Sequence, residues 1–165
     1  MLRSSFQKII LTAIAAAMPL LAGAKPSKNA DESSLVLYSG NKQLNQAIQE
    51  IIATRPPVDD FGVVLANIHD FPQELVRSAK SELKFSDRLQ VISIEKDSLA
   101  DQLGLKPGDQ LLQINSFYVS RGQAALQQFV ERVEPAVEWD GEINTTIIRN
   151  GFGQNHSTAS FRNNG

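Results

Sequence analysis

The run Asp97-Ser-Leu-Ala-Asp-Gln-Leu-Gly-Leu-Lys-Pro-Gly-Asp-Gln-Leu-Leu-Gln-Ile-Asn115 constrains what this chain can fold into more than any other segment. It predicts a short helix over residues 98–103, a glycine stop, a tight turn, and then a strand over residues 110–114. Ser98 can cap the helix N-terminus by accepting from orphan amides. Gly104 can adopt the left-handed conformation that closes a helix. In Lys106-Pro107-Gly108-Asp109, proline presets φ at the second turn position and glycine admits the positive φ that a type II turn needs at the third.

Hydrophobic spacing predicts the flanking elements. Leu44, Ala47, Ile48, Ile51 and Ile52 fall on one face of a helix over residues 42–54, which Arg55-Pro56-Pro57 ends because a residue before proline is pushed out of the helical region. Residues 60–66 read as a strand. A second amphipathic helix is expected over residues 72–84, capped by Asp70, with Leu75, Val76, Ala79 and Leu83 as its buried stripe. Residues 88–95 alternate as a strand, with Leu89, Val91 and Ser93 on one side and Gln90, Ile92 and Ile94 on the other. Residues 117–119 continue the sheet. Residues 123–133 form a helix with Leu126, Phe129, Val130 and Val133 as apolar positions. A terminal hairpin pairs residues 142–149 with 154–161 around Asn150-Gly151, Phe152-Gly153 lengthening its loop. The expected fold class is therefore α/β (α+β): a small antiparallel sheet of five to six strands capped by two helices, with two additional helices.

The first 24 residues read as an export signal. Arg3 and Lys8 form a basic start, residues 9–21 are apolar, and Ala22-Gly23-Ala24 supplies the small-x-small pattern of a cleavage site, placed after Ala24. The apolar run is shorter than the roughly 18 residues of a spanning helix and contains Pro19, so no membrane insertion is expected after cleavage. The expected location is periplasmic or secreted. The remaining 141 residues hold 14 Lys and Arg against 18 Asp and Glu. With no basic patch, nucleic acid is not an expected partner. The chain has no cysteine, so the fold needs no disulfide. Residues 25–41 are read as a disordered leader, 42–57 as an N-terminal helix, and 58–162 as the main domain.

Taken together, the strand over residues 88–95, Ser98-Leu99-Ala100, the uninterrupted Gly104-Leu105-Lys106-Pro107-Gly108-Asp109, Ile114-Asn115 and the closing Ile147-Ile148-Arg149-Asn150-Gly151 resemble a PDZ domain of the bacterial periplasmic type, as in HtrA-type proteases. The layout of two helices before the motif is also similar to PDZ regions of some secreted zinc metallopeptidases. Ser116 stands where the family usually has glycine.

The resemblance implies a groove between one strand and one helix. A partner's C-terminus or extended segment would add to the strand edge there, and main-chain amides of an x-apolar-Gly-apolar loop would hold a terminal carboxylate. In this chain the loop matches Asp60-Phe61-Gly62-Val63, the strand continues through Val64 and Leu65, and Leu126 on the helix over residues 123–133 faces the ligand. Two features depart from the family pattern. Asp59 and Asp60 place carboxylates beside the proposed carboxylate site, and a helix within residues 71–85 separates the groove strand from the next. Both fit a binder of internal segments, or a groove occupied by this chain's own helix.

No catalytic constellation is legible, and no enzyme, cofactor or metal is expected. His69 and His156 are the only histidines, and neither lies in His-Glu-x-x-His spacing. No Gly-x-Ser-x-Gly elbow occurs. His69 reads as a turn residue, and Trp139 as a residue of the polar loop 138–141. The functional expectation is a non-enzymatic module binding extended or C-terminal peptides by strand addition. The alternatives are a regulatory or substrate-presenting partner of an envelope protease, and a structural interaction domain of an envelope assembly.

Overall fold

The computed structural model describes residues 34–59, 61–140 and 142–160. The expected signal segment, the leader as far as residue 33, Asp60 and Phe161 lie outside the described residues. Among these, the elements in chain order are β1 (Ser34–Val36), α1 (Lys42–Thr54), β2 (Val63–Ala66), α2 (Val76–Leu83), β3 (Gln90–Glu95), α3 (Leu99–Gln102), β4 (Gln110–Ile114), β5 (Phe117–Tyr118), α4 (Ala125–Asp140), β6 (Glu142–Arg149) and β7 (Phe152–Ser160). All seven strands join one antiparallel sheet. The class is the α/β (α+β) one expected, with the four α-helices expected and one strand more than expected.

The added strand corrects the reading of residues 34–41 as leader. Ser34–Val36 pairs with β3 from Glu95 to Ser93, and the Leu37 N–H donates to the Ile92 carbonyl (2.8 Å). Ser93 and Ile94 pair with both β1 and β2, and Gln90 with both β2 and β4. A strand has two edges, so β2 runs along one edge of β3, while β1 and β4 share the other.

A bulge sets which side chains of β3 face which layer. Val64 pairs with Ser93 but Leu65 with Val91, which leaves Ile92 as an extra residue. Such a residue reverses the alternation beyond it. Ile94 therefore joins Leu89 and Val91 in one core, while Ile92 faces the other, correcting the expectation that Ile92 and Ile94 share a side.

The first core packs Phe61, Val63, Leu65, Val91 and Leu111 against α3 and α4. The second packs Val64, Ala66 and Ile92 against Leu44, Ala47 and Ile48 of α1 and Ala79 of α2. β2 and β3 are thus covered on both faces, which is why β2 is a continuous apolar run and why Gln90 and Ser93 of β3 are buried along with its apolar residues. It also places α1 on the face opposite the first core. Asn41 caps α1, accepting from the Gln43 and Leu44 amides (3.0 and 3.3 Å).

Three further boundaries differ from expectation. Asp70 does not cap α2. Its carboxylate accepts from the Asn67 N–H (2.7 Å) within the 3-10 turn Ile68–Asp70, a second such turn covers Gln73–Leu75, and α2 begins only at Val76. α4 runs past residue 133 and through Pro135 to Asp140, losing one helical donor at the proline. Trp139 accordingly lies in its last turn rather than in a loop. The hairpin loop has two residues, because Arg149 pairs with Phe152. Asn150 and Gly151 both take positive φ (53° and 82°), as a tight turn matched to strand twist requires.

The opening motif folds as its residues dictate. Ser98 Oγ accepts from the Asp101 N–H (3.3 Å) at the start of α3. The Asp109 N–H donates to the Lys106 carbonyl (3.0 Å) to close the turn, with Gly108 at φ 97°. The buried Asp109 carboxylate takes the Lys106 N–H (2.7 Å) and a two-point grip from Arg149: Nε to Oδ1 at 2.7 Å and Nη2 to Oδ2 at 2.6 Å. The bond to Asp109 raises the Arg149 pKa, partial burial opposing. The turn and the terminal hairpin are thereby bolted together.

Candidate functional site

β2 is an edge strand: β3 holds one side, and among the described residues the one backbone pairing on the other side is an isolated bridge between Val58 and Val63. Across this open side lies the first half of α4. Between them is an apolar cavity of about 280 Å³, bounded by Leu65 of β2, Leu126 and Val130 of α4, and residues 55–59. Leu126 and Val130 are half-buried, because the helix turns its Phe129 inward instead. Phe129 packs edge-on against Phe61 with ring centroids 6.0 Å apart, and both rings are buried beside the cleft.

Residues 55–59 form a strap along this cleft, held by main-chain and side-chain bonds. The Val58 N–H donates to the Val63 carbonyl (2.8 Å), and the Val58 carbonyl accepts from Phe61 N–H (3.2 Å) and Gly62 N–H (2.9 Å). The Phe61 N–H also reaches the Asp59 carbonyl (2.7 Å). Arg55 donates through Nη1 to the Leu65 carbonyl (2.6 Å) and through Nη2 to Asp70 Oδ1 (2.7 Å). Pro56 and Pro57 have no N–H and a restricted φ, which keeps the intervening chain extended.

The expected site residues lie at different depths and on different faces. Leu65 and Leu126 border the cavity. Phe61 and Val63 are wholly buried in the core beneath it. Val64 faces the opposite layer and packs with α1, because alternation along β2 sends it away from Val63 and Leu65. Gly62 is enclosed, its N–H on Val58 and its carbonyl accepting from Glu95 N–H (2.9 Å). Gly104, Leu105, Pro107, Gly108 and Asp109 form the turn between α3 and β4, distant in sequence from the cleft.

Arg55 and Val58 were not legible as site residues. Arg55-Pro56-Pro57 signals only the end of α1, and nothing local announces an arginine that bonds ten residues ahead. The double proline was the one available hint, since it favours an extended path. His69 is exposed on its 3-10 turn. Among the described residues no three His, Cys, Asp or Glu side chains are grouped to hold a metal, and no helix is long and apolar enough to cross a membrane.

No family model matches the chain, and no curated protein matches it. Among solved structures it is similar to "HtrA-type protease AlgW with decapeptide", at 27% identity and TM-score 0.42, over 72% of this chain and 34% of that one. It is also similar to the PDZ domain of EpsC from Vibrio cholerae, residues 219–305, at 15% identity and TM-score 0.37, over 62% of this chain and 97% of that one. The chain spans about a third of the HtrA-type protease. The turn motif between α3 and β4, the edge strand β2 and the cleft that β2 forms with α4 are features that the resemblance to PDZ domains implies.

Proposed function

We propose that this chain is a non-enzymatic peptide-binding module that receives an extended segment of another protein between β2 and α4. The observation that carries this reading is the apolar cavity of about 280 Å³ open between Leu65, Leu126 and Val130. A space of that size takes one or two apolar side chains. An edge strand beside it offers main-chain groups, because the N–H and C=O of alternate residues point away from β3 toward the cleft. Main-chain pairing supplies affinity, and the cavity supplies specificity. The peptide bound in the HtrA-type structure belongs to that protein, but it is the kind of ligand this cleft would accommodate. Action in the periplasm after cleavage behind Ala24 is part of the proposal, and an envelope protease is a partner consistent with it.

The test is binding of the purified protein to extended peptides carrying an apolar residue, in matched free-acid and amidated forms. Binding is expected, and Leu126→Glu should abolish it while leaving the circular dichroism spectrum unchanged, since Leu126 is only half-buried. Absence of binding to both sets, or binding indifferent to Leu126→Glu, overturns the reading.

A further inference from the structure

We infer that residues 55–59 are an internal occupant of the cleft, a strap that an incoming peptide must displace, and that Arg55 is its latch. The inference rests on the peptide-binding reading above and concerns how that site is regulated. It follows from which hydrogen-bonding groups the strap uses. A segment adding to β2 needs the outward carbonyls of the strand. The Val63 carbonyl is taken by the Val58 N–H, and the Leu65 carbonyl by Arg55 Nη1. An anionic terminus at the loop needs its amides. That of Gly62 donates to the Val58 carbonyl (2.9 Å), and that of Phe61 to the Asp59 carbonyl (2.7 Å) and at longer reach to the Val58 carbonyl (3.2 Å). The strap therefore satisfies four groups of the groove, and the Val58 carbonyl oxygen stands where a carboxylate oxygen would sit. The side chains reinforce this. Val58 is 7% exposed and belongs to the same core as Phe61 and Leu65, while residues 55–59 also form one wall of the cavity.

The strap is held differently at its two ends. Toward Val58 it is fixed by main-chain bonds and burial. Toward α1 it depends on Arg55, whose guanidinium joins two elements at once, the Leu65 carbonyl and the Asp70 carboxylate. The Arg55 and Asp70 side chains are 26% and 23% exposed, so the latch is within reach of solvent and of a partner's charges. Asp70 is itself fixed, because its second oxygen accepts from the Asn67 N–H (2.7 Å). Between latch and Val58 lie Pro56 and Pro57, which donate no hydrogen bonds. Release of Arg55 therefore frees one end of the strap without disturbing the interior of α1.

A ligand that competes with an internal occupant binds with an affinity reduced by the fraction of molecules in which the site is open. Weakening the latch should raise that fraction. The experiment compares the whole protein with Arg55→Ala and with Asp70→Asn, which keeps an acceptor for Asn67 while removing the charge. Each variant is first checked for an intact melting transition, so that one serves if the other does not fold. Two readouts are taken. Amide hydrogen exchange at Phe61 and Gly62, without peptide, is expected to quicken in the variants. Affinity for free-acid peptides is expected to rise about five- to tenfold, with a smaller gain for amidated forms that cannot use the freed amides fully.

Wild-type exchange rates at Phe61 and Gly62 in folded variants overturn the latch. Faster exchange with unchanged or weaker peptide affinity overturns the strap as a competitor, and peptide binding by the wild type then still stands. Faster exchange with no peptide bound by any form removes the peptide-binding reading, and the competitive role of the strap falls with it.

Discussion

At the scale of single residues, Gly62 is the most constrained position of the cleft. Its φ is +69°, and a Cβ there would stand 2.2 Å from Ser98 Cβ and 2.8 Å from its Oγ. Both neighbours are fixed, since Ser98 caps α3 and Gly62 is bonded through both its N–H and its carbonyl. Left-handed strain costs about 1–2 kcal/mol and overpacking about 1–3 kcal/mol. Gly62→Ala is therefore expected to lower stability by about 3 kcal/mol in urea unfolding, and an unchanged midpoint would show that the loop relaxes freely. Asp109 is a different kind of constraint. Asp109→Asn leaves Arg149 without its anionic partner in a largely buried site, at a cost of about 3 kcal/mol, read from the same unfolding curves. Asp109 was legible as a turn residue because Lys-Pro-Gly-Asp encodes a turn locally. Its grip by Arg149, forty residues on, was not, because no local pattern reports a contact that depends on how β4 and β6 are paired.

At the scale of elements, local chemistry decides where helices begin and end, and tertiary pairing decides where strands do. Ser98→Ala removes the acceptor from the first turn of α3 and should cost about 1 kcal/mol, measurable as a small shift in the thermal midpoint. α2 ends on Lys84, a non-glycine residue at φ 60°, with its main-chain N–H on the Ala79 carbonyl. Lys84→Gly relieves the left-handed strain of about 1 kcal/mol while adding unfolded-chain entropy. A net gain below about 1 kcal/mol is expected in urea unfolding, and a loss would show that the Lys84 Nζ bond to the Ser81 carbonyl (2.7 Å) matters more than the strain. The same division explains what the sequence made visible. The α3–turn–β4 run was readable because caps, turn residues and spacing all lie within twenty residues. β1 was not, since Ser34–Val36 is too short to show a period and exists only because β3 offers it an edge. The Ile92 bulge was equally hidden, because strict alternation is the default reading of any strand and the extra residue is set by the register of β2.

At the scale of the whole molecule, β2 and β3 lie between two cores, and that ties the cleft to α1. Leu65 looks toward the cavity, while its neighbour Val64 packs on the opposite face with Leu44 and Ile48. α1, expected from the sequence as a helix ahead of a domain beginning at Val58, therefore shares a core with β2 and β3. Leu44 and Ile48 are wholly buried. Burying each contributes roughly 1.5–3 kcal/mol, against a typical net stability of about 5–15 kcal/mol for a domain. A truncated chain beginning at Val58 would expose Val64, Ala66 and Ile92 together and should lose its cooperative transition at 25 °C. Because truncation also removes Arg55, the cleaner variant is Leu44→Ala, which keeps the strap and should cost about 2–5 kcal/mol. Helix signal at 222 nm and amide exchange at Leu65 should then decline in one shared transition. If α1 instead melts first while Leu65 stays protected at its original level, the two faces of the sheet are energetically separate. The cleft would then stand on the first core alone, and the strap would lose the fixed helix end from which Arg55 reaches the Leu65 carbonyl.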